Sequence, residues 1–391
     1  MFTGATTSSL TNAEEHVLHD GFGRTIDYLR ISLTDRCNLR CVYCMPEEGV
    51  PSLLHEDILT LEEVISVVEL AAKYGIKHIR LTGGEPLVRK GIVGLVQAIK
   101  QIKGIESVAL TTNGILLPTM ANDLKNAGLD RVNISLDSLD KDQYRAITRC
   151  GTLADALAGI DAALHYEFAP VKINVVVVRH LNQNLAQFAR LTLDKPLHVR
   201  FIEYMPIGKI DDSLPPAINA NPLTKTVTSS AFIPWSDHDV VPAVEIRSLL
   251  NDALKQEGND PLVPLKKCST DARCSSKTAA KAAEYETPDT AAAPVGWGPA
   301  SYYKIPGAKG TIGFISAISN HFCATCNRLR LTADGKLRPC LFSDEELDIR
   351  GALRNGTEKD LQQIFNEALR IKPEGHHHRR GTERSMSQVG G

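Results

Sequence analysis

From Thr25 to Tyr204, short β-branched runs alternate with helix-patterned segments, and this alternation constrains the fold more than any other feature of the chain. Strands are predicted at Ile26–Ser32, Ile76–Leu81, Ser107–Thr111, Arg131–Ser135, Lys172–Val178 and Val199–Tyr204. Helices are predicted at Leu61–Tyr74, Thr119–Ala127, Leu153–Glu167 and Asn184–Leu191. The first helix opens on a capping box, Thr60 with Glu63, and stops at Gly75. Strands separated by helices make βαβ units and a mostly parallel sheet. Six units suffice for an incomplete (β/α)6 barrel of the α/β class, whose chemistry belongs at the C-terminal ends of its strands. The segments 37–44, 83–86, 111–114 and 135–140 each follow directly on a predicted strand, so the functional-looking residues gather at one barrel face.

Beyond Pro206 the texture changes. Residues 206–240 are Pro-rich and irregular, and Val241–Leu254 is a predicted helix. Residues 266–294 are rich in Ala, Ser, Thr and Lys, with too little apolar side chain to fold alone. They read as a disordered or loosely packed insertion. Strands return at Thr311–Ile318 and Arg328–Thr332, and the turn Ala333-Asp334-Gly335 leads to a partner strand at Lys336–Leu341. The expected organisation is therefore a flexible segment 1–24, a partial barrel 25–208, a variable segment 209–300, a C-terminal cluster-binding extension 301–372 that closes the barrel's open side, and a tail 373–391 ending Gly-Gly.

The 391 residues carry 44 Lys+Arg against 46 Asp+Glu, a net charge of −2, which argues against a nucleic-acid or membrane coat protein. No apolar run approaches the ~18 residues of a membrane helix. The first 20 residues hold Glu14, Glu15 and Asp20 but no Lys or Arg, unlike a secretory signal or an organelle presequence, so a cytoplasmic protein is expected. In that reducing compartment, clustered cysteines are metal ligands before they are disulfides. Six of the nine cysteines fall into two groups: Cys37, Cys41, Cys44 and Cys323, Cys326, Cys340. Cys150, Cys268 and Cys274 stand apart and read as incidental.

The first group has the spacing C-x3-C-x2-C, the second C-x2-C-x13-C. Three thiolates on one loop can hold structural zinc with a fourth ligand from elsewhere, His55 for the first group. Structural zinc usually offers four ligands in paired knuckles, and a [4Fe–4S] cluster with one open iron suits three cysteines better. Arg328 and Arg330 alternate on one predicted strand beside the second group, and such guanidiniums bind phosphate bidentately. Arg338, across the hairpin, reads as an ordinary surface charge. His376, His377 and His378 receive no role.

C-x3-C-x2-C after the first strand with Gly83-Gly84-Glu85-Pro86 after the second resembles the radical S-adenosylmethionine superfamily. Phe322-Cys-x-x-Cys-Asn-Arg-Leu-Arg-Leu-Thr, the Asp-Gly turn, Cys340-Leu and the Gly-Gly terminus are similar to the GTP 3′,8-cyclase family of molybdenum cofactor biosynthesis. The resemblance covers about 25–208, 301–360 and the tail, and it implies two [4Fe–4S] clusters, S-adenosyl-L-methionine, and GTP as substrate. Cys37, Cys41 and Cys44 match the ligands of the first cluster, and Cys323, Cys326 and Cys340 those of the second. Tyr43, Gly84, Ser135 and Met205 match positions that contact S-adenosylmethionine. Arg30, Arg80, Thr111, Lys172, Arg328, Leu329 and Arg330 match the GTP-contacting set, while Arg30, Gly390 and Gly391 fall at catalytic positions. The product implied is (8S)-3′,8-cyclo-7,8-dihydroguanosine 5′-triphosphate. A flavodoxin- or ferredoxin-like electron donor and cyclic pyranopterin monophosphate synthase, downstream, are the implied partners, and a homodimer is compatible. No nucleic-acid or membrane partner is expected. The competing readings are a radical enzyme with an auxiliary cluster that modifies a peptide, and a non-catalytic zinc or iron–sulfur scaffold.

Overall fold

The structure is a computed structural model and describes residues 18–51, 53–207, 237–265, 293–294, 297–376 and 382–390. Nearly all of the expected insertion at 266–294 falls outside the described residues, as do Cys268, Cys274, His377, His378, Gly391 and the side chain of His55.

Six parallel strands follow one another around the sheet: β1 (Tyr28–Ser32), β2 (His78–Thr82), β3 (Ser107–Thr112), β4 (Arg131–Ser135), β5 (Val171–Val177) and β6 (Leu197–Glu203). The helices between them are α1 (Leu61–Lys73), α2 (Ile92–Gln101), α3 (Leu117–Asn126), α4 (Lys141–Thr148), α5 (Leu153–His165) and α6 (Leu185–Asp194), and α7 (Ala243–Gln256) follows β6. The capping box on α1 forms as expected, with Thr60 accepting from Glu63 N–H and Glu63 from Thr60 N–H. Two of these helices were not expected. The Ile/Val run of α2 reads as strand-like, and the helix starts after Gly91 at φ 84° with no side-chain cap to announce it. The short α4 has its signal in Asp140, which accepts from the N–H groups of Asp142 and Gln143.

Downstream lie β7 (Val263–Pro264), β8 (Ser301–Lys304), β9 (Thr311–Ile315), β10 (Arg328–Leu331), β11 (Lys336–Arg338) and β12 (Leu347–Asp348), then α8 (Arg350–Asn355) and α9 (Glu358–Arg370). These strands do not form a sheet of their own. β9 pairs parallel with β6, and β10 pairs parallel with β1, so the sheet runs β12-β11-β10-β1-β2-β3-β4-β5-β6-β9-β8-β7. Both flanks of the six-stranded unit are thus extended, and the barrel is incomplete. β11 stops earlier than the expected Leu341 because Pro339 has no N–H to continue the ladder. Among the described residues no helix is long and apolar enough to cross a membrane.

Alternation along each strand separates two environments. Leu29, Ile31, Ile79, Leu81, Val108, Leu110, Val132, Ile134, Ile173 and Val199 point outward and are buried in one core with Val64, Val67 and Val68 of α1. The inward positions carry Tyr28, Arg30, Arg80, Thr111, Arg131, Asn133, Lys172, Asn174, Arg200, Arg328 and Arg330. A filled barrel would place branched apolar residues there. The hydrophobic stabilisation of this fold therefore comes from the sheet–helix layer, which leaves the lumen free for polar chemistry.

Candidate active site: a cationic lumen between two cysteine groups

A cavity of about 310 Å³ occupies the lumen, and both cysteine groups line it. Cys37, Cys41 and Cys44 come from the loop after β1, at the C-terminal ends of the parallel strands. Cys323 and Cys326 precede β10 and Cys340 follows the antiparallel β11, so the second group sits at the opposite end of the strands.

The first loop is held by the Gly83-Gly84-Glu85 segment. Gly84 N–H donates to Thr34 O at 2.7 Å and Glu85 N–H to Arg36 O at 2.8 Å. A Cβ on Gly84 would lie 2.4 Å from Arg36 O and 2.7 Å from Asp35 O, so only glycine permits this approach. The carboxylate of Glu85 accepts from Thr112 Oγ1 and Asn113 N–H, each at 2.7 Å, and from Leu87 N–H at 3.0 Å. The turn after β3 is thereby tied to the cysteine loop, where Asn113 Nδ2 donates to Asn38 Oδ1 at 2.7 Å. Gly84→Ala is expected to displace the loop at a cost of about 1–3 kcal/mol. Anaerobically reconstituted variant protein should then keep about half of the parental iron, the share of the other cluster.

Burial pushes the Cys37 thiol up to about 11 and the Cys44 thiol up to about 12, and it raises Cys41 as well. A neighbouring thiolate or carboxylate contributes to each shift in the same direction. Such a group ionises readily only when the bound metal itself drives the proton off. Three thiols from one loop, all lining a cavity, fit a metal centre with a vacant coordination position. In the second group the balance differs. Burial raises Cys326, but Lys372 and Arg328 outweigh it and lower the thiol below its ordinary value.

Between the two groups the lumen is cationic. Burial drives Arg30 well below its ordinary value, and Arg330, Arg80 and Arg328 add to the effect. Lys172 is depressed by burial and then by Arg200, Arg80 and Arg131. Burial would raise the Tyr28 phenol, yet Arg80, Arg30 and Arg328 outweigh it and lower its pKa. The inward positions of β1 to β6, β9 and β10 carry no carboxylate to offset these charges. Nε of Arg30 and of Arg328 is buried without a hydrogen-bond partner. Buried cations and orphaned donors are costly unless an anion fills the space between them.

The tail closes one side. Arg384 pairs with Asp334 at 2.8 Å, and Val389 is buried against Phe342 and Ile207. Met386 and Ser387 line the cavity, and Arg330 donates to Val389 O at 3.3 Å and Gly390 O at 3.2 Å. Gly390 has φ 73°, and a Cβ there would lie 2.5 Å from Thr82 Oγ1. A terminus that reads as frayed in isolation is docked beside the ends of β1 and β2.

Residues 31–192 match the Radical SAM superfamily and residues 261–378 match Molybdenum Cofactor Synthesis C. The GTP 3′,8-cyclase of Pelotomaculum thermopropionicum is 46% identical, over 96% of this chain and 100% of that protein. The GTP 3′,8-cyclase of Moorella thermoacetica is also 46% identical, over 96% of this chain and 100% of its own length. The chain belongs to the GTP 3′,8-cyclase family. Native anSMEcpe with bound AdoMet shares the fold at 16% identity and TM-score 0.50, covering 90% of this chain and 82% of that one. The family uses S-adenosylmethionine and iron–sulfur chemistry, and the peptide-modifying and scaffold readings give way to it.

Of the positions expected from the cyclase family, Tyr43, Gly84, Ser135 and Met205 line the cavity, as do Arg30, Arg80, Thr111, Arg328 and Arg330. Tyr43 donates its hydroxyl to Asp137, whose carboxyl burial pushes up to about 6. Lys172 shares the inward face of β5 with Asn174 and has its ammonium 5.9 Å from the Tyr302 ring. Leu329 lies in the outer core, opposite Leu29, so its side chain faces away from the lumen. One reading is corrected: Arg338 is not a surface charge. It is fully buried, bonded to Glu346 and to the carbonyl of Ser343, and outside the cavity lining. His376, given no role, is buried in the cavity wall, with Nε2 3.0 Å from Ala317 O.

Sequence reasoning missed Arg200 and Tyr28, both cavity-lining. Arg200 reaches Asn174 Oδ1 at 2.9 Å. The signal was present, since Arg200 is a cation inside the apolar strand Val199–Tyr204, a costly placement unless it faces an anion. Trp297 was missed without any local cue. It stacks on His78 at 3.6 Å and lies 4.0 Å beneath the Arg131 guanidinium.

Proposed function

We propose that the chain converts GTP to (8S)-3′,8-cyclo-7,8-dihydroguanosine 5′-triphosphate, the first step of molybdenum cofactor biosynthesis. The observation that carries this reading is a single cavity lined by both cysteine groups and by cationic side chains between them. Cys37, Cys41 and Cys44 would hold one [4Fe–4S] cluster and Cys323, Cys326 and Cys340 a second, each with an open iron. With S-adenosylmethionine bound, the first site would supply the radical chemistry for hydrogen abstraction at C3′ of the ribose.

The protein's own contribution is placement and exclusion of water. Tyr43, Gly84, Ser135 and Met205 form the wall against which S-adenosylmethionine is oriented. Arg30, Arg80, Thr111, Lys172, Arg328 and Arg330 hold the triphosphate, with Leu329 contributing through its backbone. Arg30 and the Gly390-Gly391 terminus stand at the catalytic positions, and the described part of that terminus lies beside Thr82 and Ser32. A flavodoxin- or ferredoxin-like protein supplies electrons, cyclic pyranopterin monophosphate synthase takes the product, and the chain works in the cytoplasm.

Anaerobic turnover tests the proposal. Reconstituted protein, dithionite and S-adenosylmethionine are incubated with and without GTP, and 5′-deoxyadenosine is quantified. A large GTP-dependent rise with one-for-one consumption of GTP is expected. 5′-Deoxyadenosine formed at the same rate without GTP consumption would assign a different substrate.

A further inference from the structure

Lys372 lies two residues beyond α9, just after its C-cap Ile371, and is almost fully buried, with 3% exposure. Its ammonium donates to Pro339 O at 2.7 Å, to Arg328 O at 2.8 Å and towards Cys326 Sγ at 3.7 Å. These three contacts use the three N–H groups an ammonium has. Two are neutral carbonyls and the third is a sulfur, so among the described residues its bonds reach no carboxylate. A buried ammonium without a counter-charge costs several kcal/mol. Asp20 acts on it only through space, its carboxylate being already paired with Arg24 at 2.5 Å.

The chain is built to keep Lys372 in place. Arg24 donates to Cys323 O at 2.8 Å, Glu374 O at 2.9 Å and Pro373 O at 2.7 Å, which clamps the residues after Lys372 against the cysteine turn. The N–H of His376 in the same segment donates to the Cys323 thiol. Two ligand sulfurs of the second group are therefore contacted by one stretch, 372–376. Among the described residues, no hydrogen bond joins a first-group thiol to an ammonium: the Cys37 thiol meets backbone and amide groups, and Arg40 acts on it through its charge alone.

We propose that Lys372 is the counter-charge of the second cluster, raising that cluster's reduction potential by drawing electron density from the Cys326 sulfur. The inference rests on the two-cluster reading above. A cation on a ligand sulfur raises potential in the way outer-shell hydrogen bonds do. It also offsets the anionic charge of three thiolates, at the end of the lumen that must admit a polyanionic nucleotide.

The test is an EPR-monitored redox titration of the anaerobically reconstituted full chain without nucleotide. Lys372→Met is expected to shift the second cluster's reduction equilibrium at least tenfold toward the oxidised form, about 59 mV for one electron. The first cluster's potential should not move, and Lys372→Arg should keep most of the parental value. An unmoved second-cluster potential in Lys372→Met would overturn the proposal, as would an equal shift of both clusters. If that variant loses the cluster, parental protein grown on 15N-lysine decides: a nitrogen coupling on the reduced second cluster is expected, and its absence overturns the proposal. Parental protein that binds only one cluster would instead defeat the two-cluster reading, and the inference with it.

Discussion

Cys37→Ala is expected to abolish cleavage of S-adenosylmethionine, whereas Cys323→Ala is expected to lose the response to GTP while retaining slow, uncoupled cleavage. The two cysteines stand at opposite ends of one lumen, so a defect at either end is chemically separable from the other. Cys37 belongs to a loop that carries all three sulfurs of its group. Its sulfur accepts from Leu39 N–H at 3.3 Å, and Asn113 Nδ2 approaches it at 3.9 Å. With one ligand gone, two thiolates remain, and a site of this kind loses its cluster rather than weakening gradually. Cys323 is fixed by Arg24 and 372–376, and among the described residues the hydrogen bonds that Arg24 makes there do not reach the first loop. 5′-Deoxyadenosine formation with and without GTP distinguishes the variants. Parental rates from both would remove this division of labour between the ends.

The strands that carry the lumen were legible because their two faces differ in kind. Outward residues such as Leu29, Ile31, Val132 and Ile134 are β-branched or branched, and the inward Arg30 and Lys172 interrupt them at alternate positions. That pattern is local, and a parallel βαβ order follows from it. The pairing of β10 with β1 is not local. Arg330 meets Arg30 across the sheet, from opposite ends of the chain, and no neighbouring residue announces that register. For the same reason Arg338 was misread. Its partners Glu346 and Ser343 are close in sequence, but its burial is created by the sheet that β10 joins. The glycine motif after β2 was recognised, but not why Gly84 must lack a side chain, which lies in the backbone of Asp35 and Arg36.

Replacing both Arg328 and Arg330 with alanine is expected to raise the Kd for GTP by a factor of tens or more. A hydrogen bond to a charged group contributes about 1.5–3 kcal/mol, so each lost guanidinium weakens binding by roughly ten- to a hundred-fold. The two effects should be less than additive, because the residues share one strand face and one ligand. They also differ in what else they do. Arg328 lies 5.8 Å from the Tyr28 ring and 5.1 Å from the Phe322 ring, and its Nε lacks a partner, so its loss should act on the nucleotide directly. Arg330 already binds the carbonyls of Val389 and Gly390, so its loss should also loosen the docked tail. Arg338→Ala is the control, since that side chain serves Glu346 outside the cavity. Glu346 stays paired with Arg384 at 2.6 Å, so losing this guanidinium should cost about 1–3 kcal/mol of stability and leave GTP affinity in surviving folded protein near the parental value. Anaerobic calorimetry on cluster-loaded protein reads both quantities. An unchanged Kd in the double variant would place the triphosphate on Arg30, Arg80 and Lys172 instead.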